Sequence, residues 1–171
     1  LCAYYIKRRS MLTFQELYET YAADVYRFAL WLTGDAFDAE DITSDTFVRA
    51  WTRNSTIRTE TLKAYLFTIA RNSFRERQRK GQRQVVLEDT YPDPSPGPEK
   101  ILQAQQELGE VRLILWSLSE VDRTAFILRV QHELRYAEIA RILDLSISAA
   151  KVKVHRVRRK LLLSSLDKEV I

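Results

Sequence analysis

The chain has 171 residues, 46% hydrophobic and 29% charged, which is enough apolar material for a packed core and argues against wholesale disorder. Its net charge of +4 fixes no partner, its one cysteine (Cys2) excludes an internal disulfide, and two histidines (His132 and His155) are too few for a histidine-based metal centre. Only four glycines and four prolines speak against an all-β chain stitched by tight turns, so the expected class is all-α with no cofactor and no bound metal. The longest apolar runs fall well short of the about 18 residues of a membrane span, and no signal-peptide core follows Lys7-Arg8-Arg9. The expectation is a soluble intracellular protein.

Leu1 stands where a methionine is usual, and Met11 is followed by Thr13-Phe14-Gln15-Glu16, which has the spacing of a helix-starting capping box. Residues 1–10 are therefore read as an uncertain extension, with the natural start at Met11 or at a non-ATG codon upstream. Phe14, Leu17, Tyr18, Tyr21, Val25, Phe28, Ala29 and Leu32 recur at steps of three and four and predict a first helix ending near Gly34. A second helix is predicted over about 36–51 and a third over about 62–80, with Leu62, Tyr65, Leu66, Ile69 and Ala70 on one face. All four prolines lie in Pro92-Asp93-Pro94-Ser95-Pro96-Gly97-Pro98, a stretch that cannot continue a helix and reads as a semi-extended linker. Further helices are predicted near 99–117, 120–132, 136–143 and 147–163. Two small helical domains, 11–82 and 99–171, joined by an acidic, proline-rich linker at 83–98, follow from this punctuation.

Charge is uneven along the chain. Residues 71–84 hold Arg71, Arg75, Arg77, Arg79, Lys80 and Arg83 against Glu76 alone, and residues 145–166 hold Lys151, Lys153, Arg156, Arg158, Arg159 and Lys160 with no acid. Residues 81–100 carry Arg83 and Lys100 against Glu88, Asp89, Asp93 and Glu99. Two basic helices on an acidic tether suit a polyanion gripped at two points.

Tyr136, Ile139, Ala140 and Leu143 form one face of a short helix, Asp144-Leu145-Ser146 breaks it, and Ser146 is placed to cap the next. On that next helix Ile147, Ala150, Val154, Val157 and Leu161 fall on one side; Ser148, Ala149, Val152, His155, Arg156 and Arg159 fall on the other, flanked by Lys151, Lys153 and Lys160. This is the pattern of a helix-turn-helix whose second helix reaches base edges while its cations meet phosphates. On the third helix Arg71, Arg75 and Arg79 form a basic stripe, and Asn72, Thr59 and Thr61 are neutral groups able to read unpaired bases. Tyr65 and Phe67 are read either as base-stacking or as core side chains. Asp38, Asp41 and Asp45 form an acidic stripe, which is either a solvated face, a docking face or a magnesium site; the last needs a second acidic helix opposite. No glycine-rich phosphate loop or nucleophile elbow is present, and the chain does not read as an enzyme with a small-molecule substrate.

Three segments together resemble the extracytoplasmic-function (ECF) group of bacterial RNA polymerase sigma factors, in the sigma-70 family. They are Asp38-Ala39-Glu40-Asp41-Ile42 with Asp45-Thr46-Phe47-Val48-Arg49-Ala50-Trp51, then Ala64-Tyr65-Leu66-Phe67-Thr68-Ile69-Ala70-Arg71-Asn72, then Tyr136-Ala137-Glu138-Ile139-Ala140 with Lys151 through Arg158. The resemblance runs from about Phe14 to Leu162 and implies a region 2 helical bundle and a region 4 helix-turn-helix. It also implies the partners: core RNA polymerase (the clamp coiled coil of its largest subunit, and its flap), promoter DNA and an anti-sigma factor, in the cytoplasm. Residue by residue, it implies that Asp38, Glu40, Asp41, Asp45, Phe47 and Arg49 dock the polymerase. Arg58, Thr59, Thr61, Asn72, Arg75 and Arg79 would contact the −10 element, and Ser148, Lys151, Val152, His155, Arg156 and Arg159 the −35 element. Departures from the family pattern include Tyr65 for the usual Trp, Ser119 for the proline after Leu118 (where Ser119 with Asp122 still caps a helix), and Asp144 for the turn glycine. The rival readings are a stand-alone helix-turn-helix regulator and a helical magnesium-dependent nucleotide phosphohydrolase built on the acidic stripe.

Overall fold

The computed structural model describes residues 13–52, 62–81, 109 and 111–166. Among these, every regular element is an α-helix: α1 (Phe14–Thr33), α2 (Ala36–Thr52), α3 (Leu62–Gly81), α4 (Glu120–Val130), α5 (Tyr136–Leu143) and α6 (Ile147–Leu166), with helical backbone also over 111–116. The all-α expectation holds. Two compact units are present, the first ending at Glu76 and the second beginning at Arg77, inside α3. The N-terminal extension, the proline-rich linker, the loop bearing Arg58, Thr59 and Thr61, and most of the helix expected near 99–117 lie outside the described residues.

In the first unit, α1 opens with the capping box that the sequence predicts. The Thr13 hydroxyl accepts from the Glu16 N–H at 3.2 Å, and the Glu16 carboxylate accepts from the Thr13 N–H at 2.8 Å. The helix stops at Gly34, whose φ of 75° is left-handed and whose N–H reaches the Leu30 carbonyl at 2.8 Å. Asp35 then starts α2 by accepting from the Asp38 N–H at 2.8 Å. So short a link packs α2 against α1.

Val25, Phe28, Ala29 and Leu32 of α1 share a core with Ala39, Ile42 and Phe47 of α2 and with Ala64, Leu66, Phe67 and Ala70 of α3. The Phe28 and Phe67 rings lie 4.8 Å apart, centroid to centroid. Thr43 and Thr46 are buried in this core without penalty, because their hydroxyls donate to the carbonyls of Ala39 and Ile42, both at 2.7 Å. Phe14 and Tyr18, expected on the core stripe of α1, are instead 41% and 44% exposed. They form an aromatic rim, Phe14 edge-on to Trp51 at 5.6 Å and Tyr18 against Phe47 at 4.9 Å.

In the second unit, α4, α5 and α6 pack pairwise. Their core holds Ala125, Ile127 and Leu128, then Ile139, Ala140, Ile142 and Leu143, then Ala150, Val154 and Val157. Ser119 caps α4 by accepting from the Asp122 N–H at 3.1 Å, so a serine does the helix-starting work at the family's proline position. The α4–α5 connection is closed by Arg129, which donates to the Leu134 carbonyl at 3.0 Å and lies 5.0 Å from the Tyr136 ring centroid.

Phe28 is fully buried and its ring packs on Phe67 of α3, so Phe28→Ala is expected to cost about 3–5 kcal/mol in urea unfolding. A cost under about 1 kcal/mol would show that the Phe28–Phe67 contact does not hold the unit together.

Candidate nucleic-acid interface

The α5–α6 corner is a helix-turn-helix in geometry as well as in pattern. Glu138 is buried, and its carboxylate accepts from the Arg135 N–H at 2.9 Å, which fixes the start of α5. Asp144 ends that helix with φ 56° and ψ 54°, and the next N–H, of Leu145, reaches back to the Ala140 carbonyl at 2.8 Å. The left-handed residue expected at the family's glycine position is thus an aspartate, one of the few side chains that tolerate it. The Ser146 hydroxyl accepts from the Ala149 N–H at 3.1 Å and starts α6.

Ala150, Val154 and Val157 bury one side of α6 at 0–1% exposure. Ser148, Lys151, Val152, His155, Arg156 and Arg159 are all exposed, so the six candidate −35 residues occupy solvent-facing positions on one helix. Lys151 is oriented from behind, its ammonium 5.9 Å from the Tyr136 ring centroid. Small and polar side chains sit at the helix start and cations further along, the order in which a helix end enters a major groove.

One flank of α6 is engaged with the beginning of α4. Lys153 Nζ lies 3.0 Å from Asp122 Oδ1, Arg156 Nη1 lies 3.9 Å from Asp122 Oδ2, and Lys160 Nζ donates to the Ser117 hydroxyl at 3.0 Å. Asp122 itself accepts from the Ser119 hydroxyl at 2.7 Å. Sequence reasoning found Ser119 and Asp122 only as a helix cap. A contact spanning 31 residues has no local signal.

On α3, Asn72, Arg75 and Arg79 are exposed. Arg71, read as the first member of that basic stripe, is 4% exposed and belongs to the buried side of the helix, between Ala70 and Ser73. Phe67 is fully buried against Phe28, which leaves it as core and not as a base-stacking platform; Tyr65 is half-buried. Glu76, the acid within the basic stretch, bonds Arg49 of α2 at 2.9 Å.

On α2, Asp38, Glu40 and Asp41 are exposed and Asp45 is half-buried. Phe47, expected on the same docking surface, is 1% exposed and packs on Tyr18, so it supports this face from the core and cannot present its ring to a partner. Arg49 is held between Glu76 at 2.9 Å and Asp45 at 3.9 Å. The sequence reading missed Phe37 and Val48, which are 81% and 58% exposed beside the acids and are recognisable only as apolar residues off the helix's core register. Among the described residues no three of His, Cys, Asp and Glu gather as metal ligands do. Asp38, Asp41 and Asp45 are spread along one helix, and among the described residues no second acidic helix is brought opposite them, as a magnesium site would need.

Comparison with known proteins adds an independent line. The family described as Sigma-70 region 2 matches residues 17–84, and Sigma-70, region 4 matches residues 108–161. The chain is similar to the ECF RNA polymerase sigma factor SigM of Bacillus subtilis (strain 168), 31% identical over 154 residues that make up 88% of this chain and 93% of that one. It is also similar to the ECF RNA polymerase sigma factor SigL of Mycobacterium tuberculosis H37Rv, 32% identical over 154 residues, 86% of each chain. Among solved structures it resembles the sigma factor RpoE of Bartonella quintana, co-crystallised with the anti-sigma factor NepR, with TM-score 0.70 and 30% identity over 86% of this chain and 93% of that one.

The Asp122 carboxyl is a measurable reporter of this corner. Burial pushes its pKa up, but the Ser119 hydroxyl, the Lys153 ammonium and the Arg156 guanidinium outweigh burial and hold it below its ordinary 3.8. A carboxyl depressed in the folded state stabilises fully above its ordinary pKa and loses that contribution as pH falls through the lowered one. The urea stability of the wild type is therefore expected to exceed that of Asp122→Asn near neutral pH, with the gap closing as pH falls below 3.8. A gap independent of pH would mean that Asp122 acts through shape and not charge.

Proposed function

This chain belongs to the ECF sigma factors of the sigma-70 family, and we propose that its two units divide the work of directing promoter recognition, local DNA melting and transcription initiation by core RNA polymerase. The observation that carries this reading is that region 2 and region 4 both match, in that order, on helices whose exposed faces hold the expected chemistry. A stand-alone helix-turn-helix regulator leaves the region 2 match without a use, and a phosphohydrolase needs a converging acidic site that is not found among the described residues.

In this reading the exposed carboxylates Asp38, Glu40 and Asp41, with Asp45 and Arg49, dock the clamp coiled coil of the polymerase, and the exposed apolar Phe37 and Val48 add area to the same contact. Asn72, Arg75 and Arg79 meet the −10 element, where single-stranded bases are captured and binding energy drives local melting. Arg58, Thr59 and Thr61 join them by resemblance alone. Ser148, Val152 and His155 face base edges of the −35 element while Lys151, Arg156 and Arg159 meet phosphates or guanines. The protein has no catalytic role of its own, works in the cytoplasm with the polymerase, and is held in check by an anti-sigma factor that competes for these faces.

Size-exclusion chromatography with bacterial core RNA polymerase tests the reading. The chain is expected to co-elute, and Asp41→Ala to weaken binding by about tenfold while circular dichroism stays unchanged. Folded protein that fails to co-elute would overturn the sigma-factor mechanism proposed for this chain.

A further inference from the structure

The seam between α4 and α6 has a consequence for how the second unit meets DNA. It rests on the reading of α6 as the recognition helix. Of the six cations on that helix, Lys153 is the one drawn into the protein: its side chain is 23% exposed, and its 3.0 Å partner, the Asp122 side chain, is 10% exposed. Asp122 is rigid, since its backbone N–H and its carboxylate are both fixed by Ser119. Its second oxygen faces Arg156, which is 63% exposed and lies one turn along α6, at the edge of the base-reading side. One turn further, Lys160 is held by Ser117. Asp122 of α4 and Ser117 just before that helix therefore engage Lys153, Arg156 and Lys160, an i, i+3, i+7 row, from behind.

We propose that Asp122 is a positioning residue that limits non-specific DNA binding: it withholds Lys153 from phosphates and aims Arg156 at the base-reading face. A partly buried ion pair is costly to break, and one added phosphate contact does not compensate. The carboxylate at this rim also repels a phosphate backbone that seats too far towards α4, which narrows the register in which a duplex fits.

Binding of the full-length chain to a short random-sequence duplex, followed by fluorescence anisotropy across a salt series, tests this. Each phosphate contact contributes about 0.9 to the slope of log affinity against log salt. Asp122→Asn is expected to steepen the slope by about 0.9, equivalent to about threefold more affinity lost between about 50 and about 200 mM salt. Lys153→Met alone is expected to leave the wild-type slope unchanged, and Asp122→Asn with Lys153→Met to return it to the wild-type value. A slope unchanged by Asp122→Asn overturns the proposal, and so does a slope that Lys153→Met lowers by itself. Should Asp122→Asn fail to fold, Lys153→Met alone decides. A merely structural role for Asp122 would weaken binding and could not steepen the slope. Arg159→Ala separates this proposal from the reading beneath it. If Arg159→Ala flattens the slope and Asp122→Asn does not steepen it, only the proposal falls; if neither variant moves it, α6 is not the DNA face and both fall.

Discussion

Every helix that carries a candidate surface must be core on one side and bare on the other, and a helix has only one circumference to divide. α6 meets this constraint with very small anchors: Ala150, Val154 and Val157 are fully buried, and the rest of the circumference is left to exposed cations and polar groups together with the exposed apolar Ile147, Val152, Leu162 and Leu163. α2 does the same with Ala39, Ile42, Thr43, Thr46, Phe47 and Ala50, and its two buried threonines are possible because each hydroxyl bonds its own helix backbone. Such narrow anchoring stripes bury modest area, so the helices depend on sharp ends for their placement. Thr13, Gly34, Asp35, Ser119, Asp144 and Ser146 provide those ends, each through a cap or a left-handed turn.

A second level of organisation is electrostatic. Carboxylates within the units sort the cations into those that hold the fold and those that face outward. Asp24 takes Lys63 at 2.7 Å and pairs with Arg27, Glu76 takes Arg49, and Asp122 takes Lys153. Several of these pairs join helices distant in sequence and direct long side chains whose stems also cover apolar surface. An exposed pair such as Arg49–Glu76 adds little stability, and its effect is geometric: it ties the acidic face of α2 to α3, and so one candidate surface to the other within the first unit.

Helix existence and most boundaries were legible in the sequence because the apolar period and the caps agree. The Thr13–Glu16 box, the Gly34 stop, the Ser119 cap and the Asp144-Leu145-Ser146 break are short-range chemistry, and they folded as their spacing says. The six α6 positions on the solvent side were legible for the same reason, since helical phase alone separates them from Ala150, Val154 and Val157. What failed was phase at the edges. Phe14 and Tyr18 keep the register of α1 but stay exposed among the described residues, and Arg71 keeps the register of the basic stripe but turns inward, since a helix face has no sharp border in sequence. Phe47 shows the opposite error: a motif carried it to the docking surface, although its place opposite Asp38, Asp41 and Asp45 already put it in the core. Asp122 was legible only as a cap, because its partners are brought to it by the α4–α6 contact.

The overall charge gains meaning from this sorting. A net charge of +4 does not by itself favour one sequence over another, and a factor that must find one sequence among many gains nothing from broad affinity for phosphate. What favours recognition is a limited set of cations in fixed positions beside neutral groups that read bases. On α6 the groups proposed to read bases are Ser148, Val152 and His155, and the cation proposed to act beside them is Arg156, which lies 3.9 Å from the carboxylate that engages Lys153. Specificity in such a face comes as much from the cations drawn back into the protein as from those left on its surface, because every phosphate contact removed lowers affinity for all sequences equally and leaves base contacts a larger share of what remains.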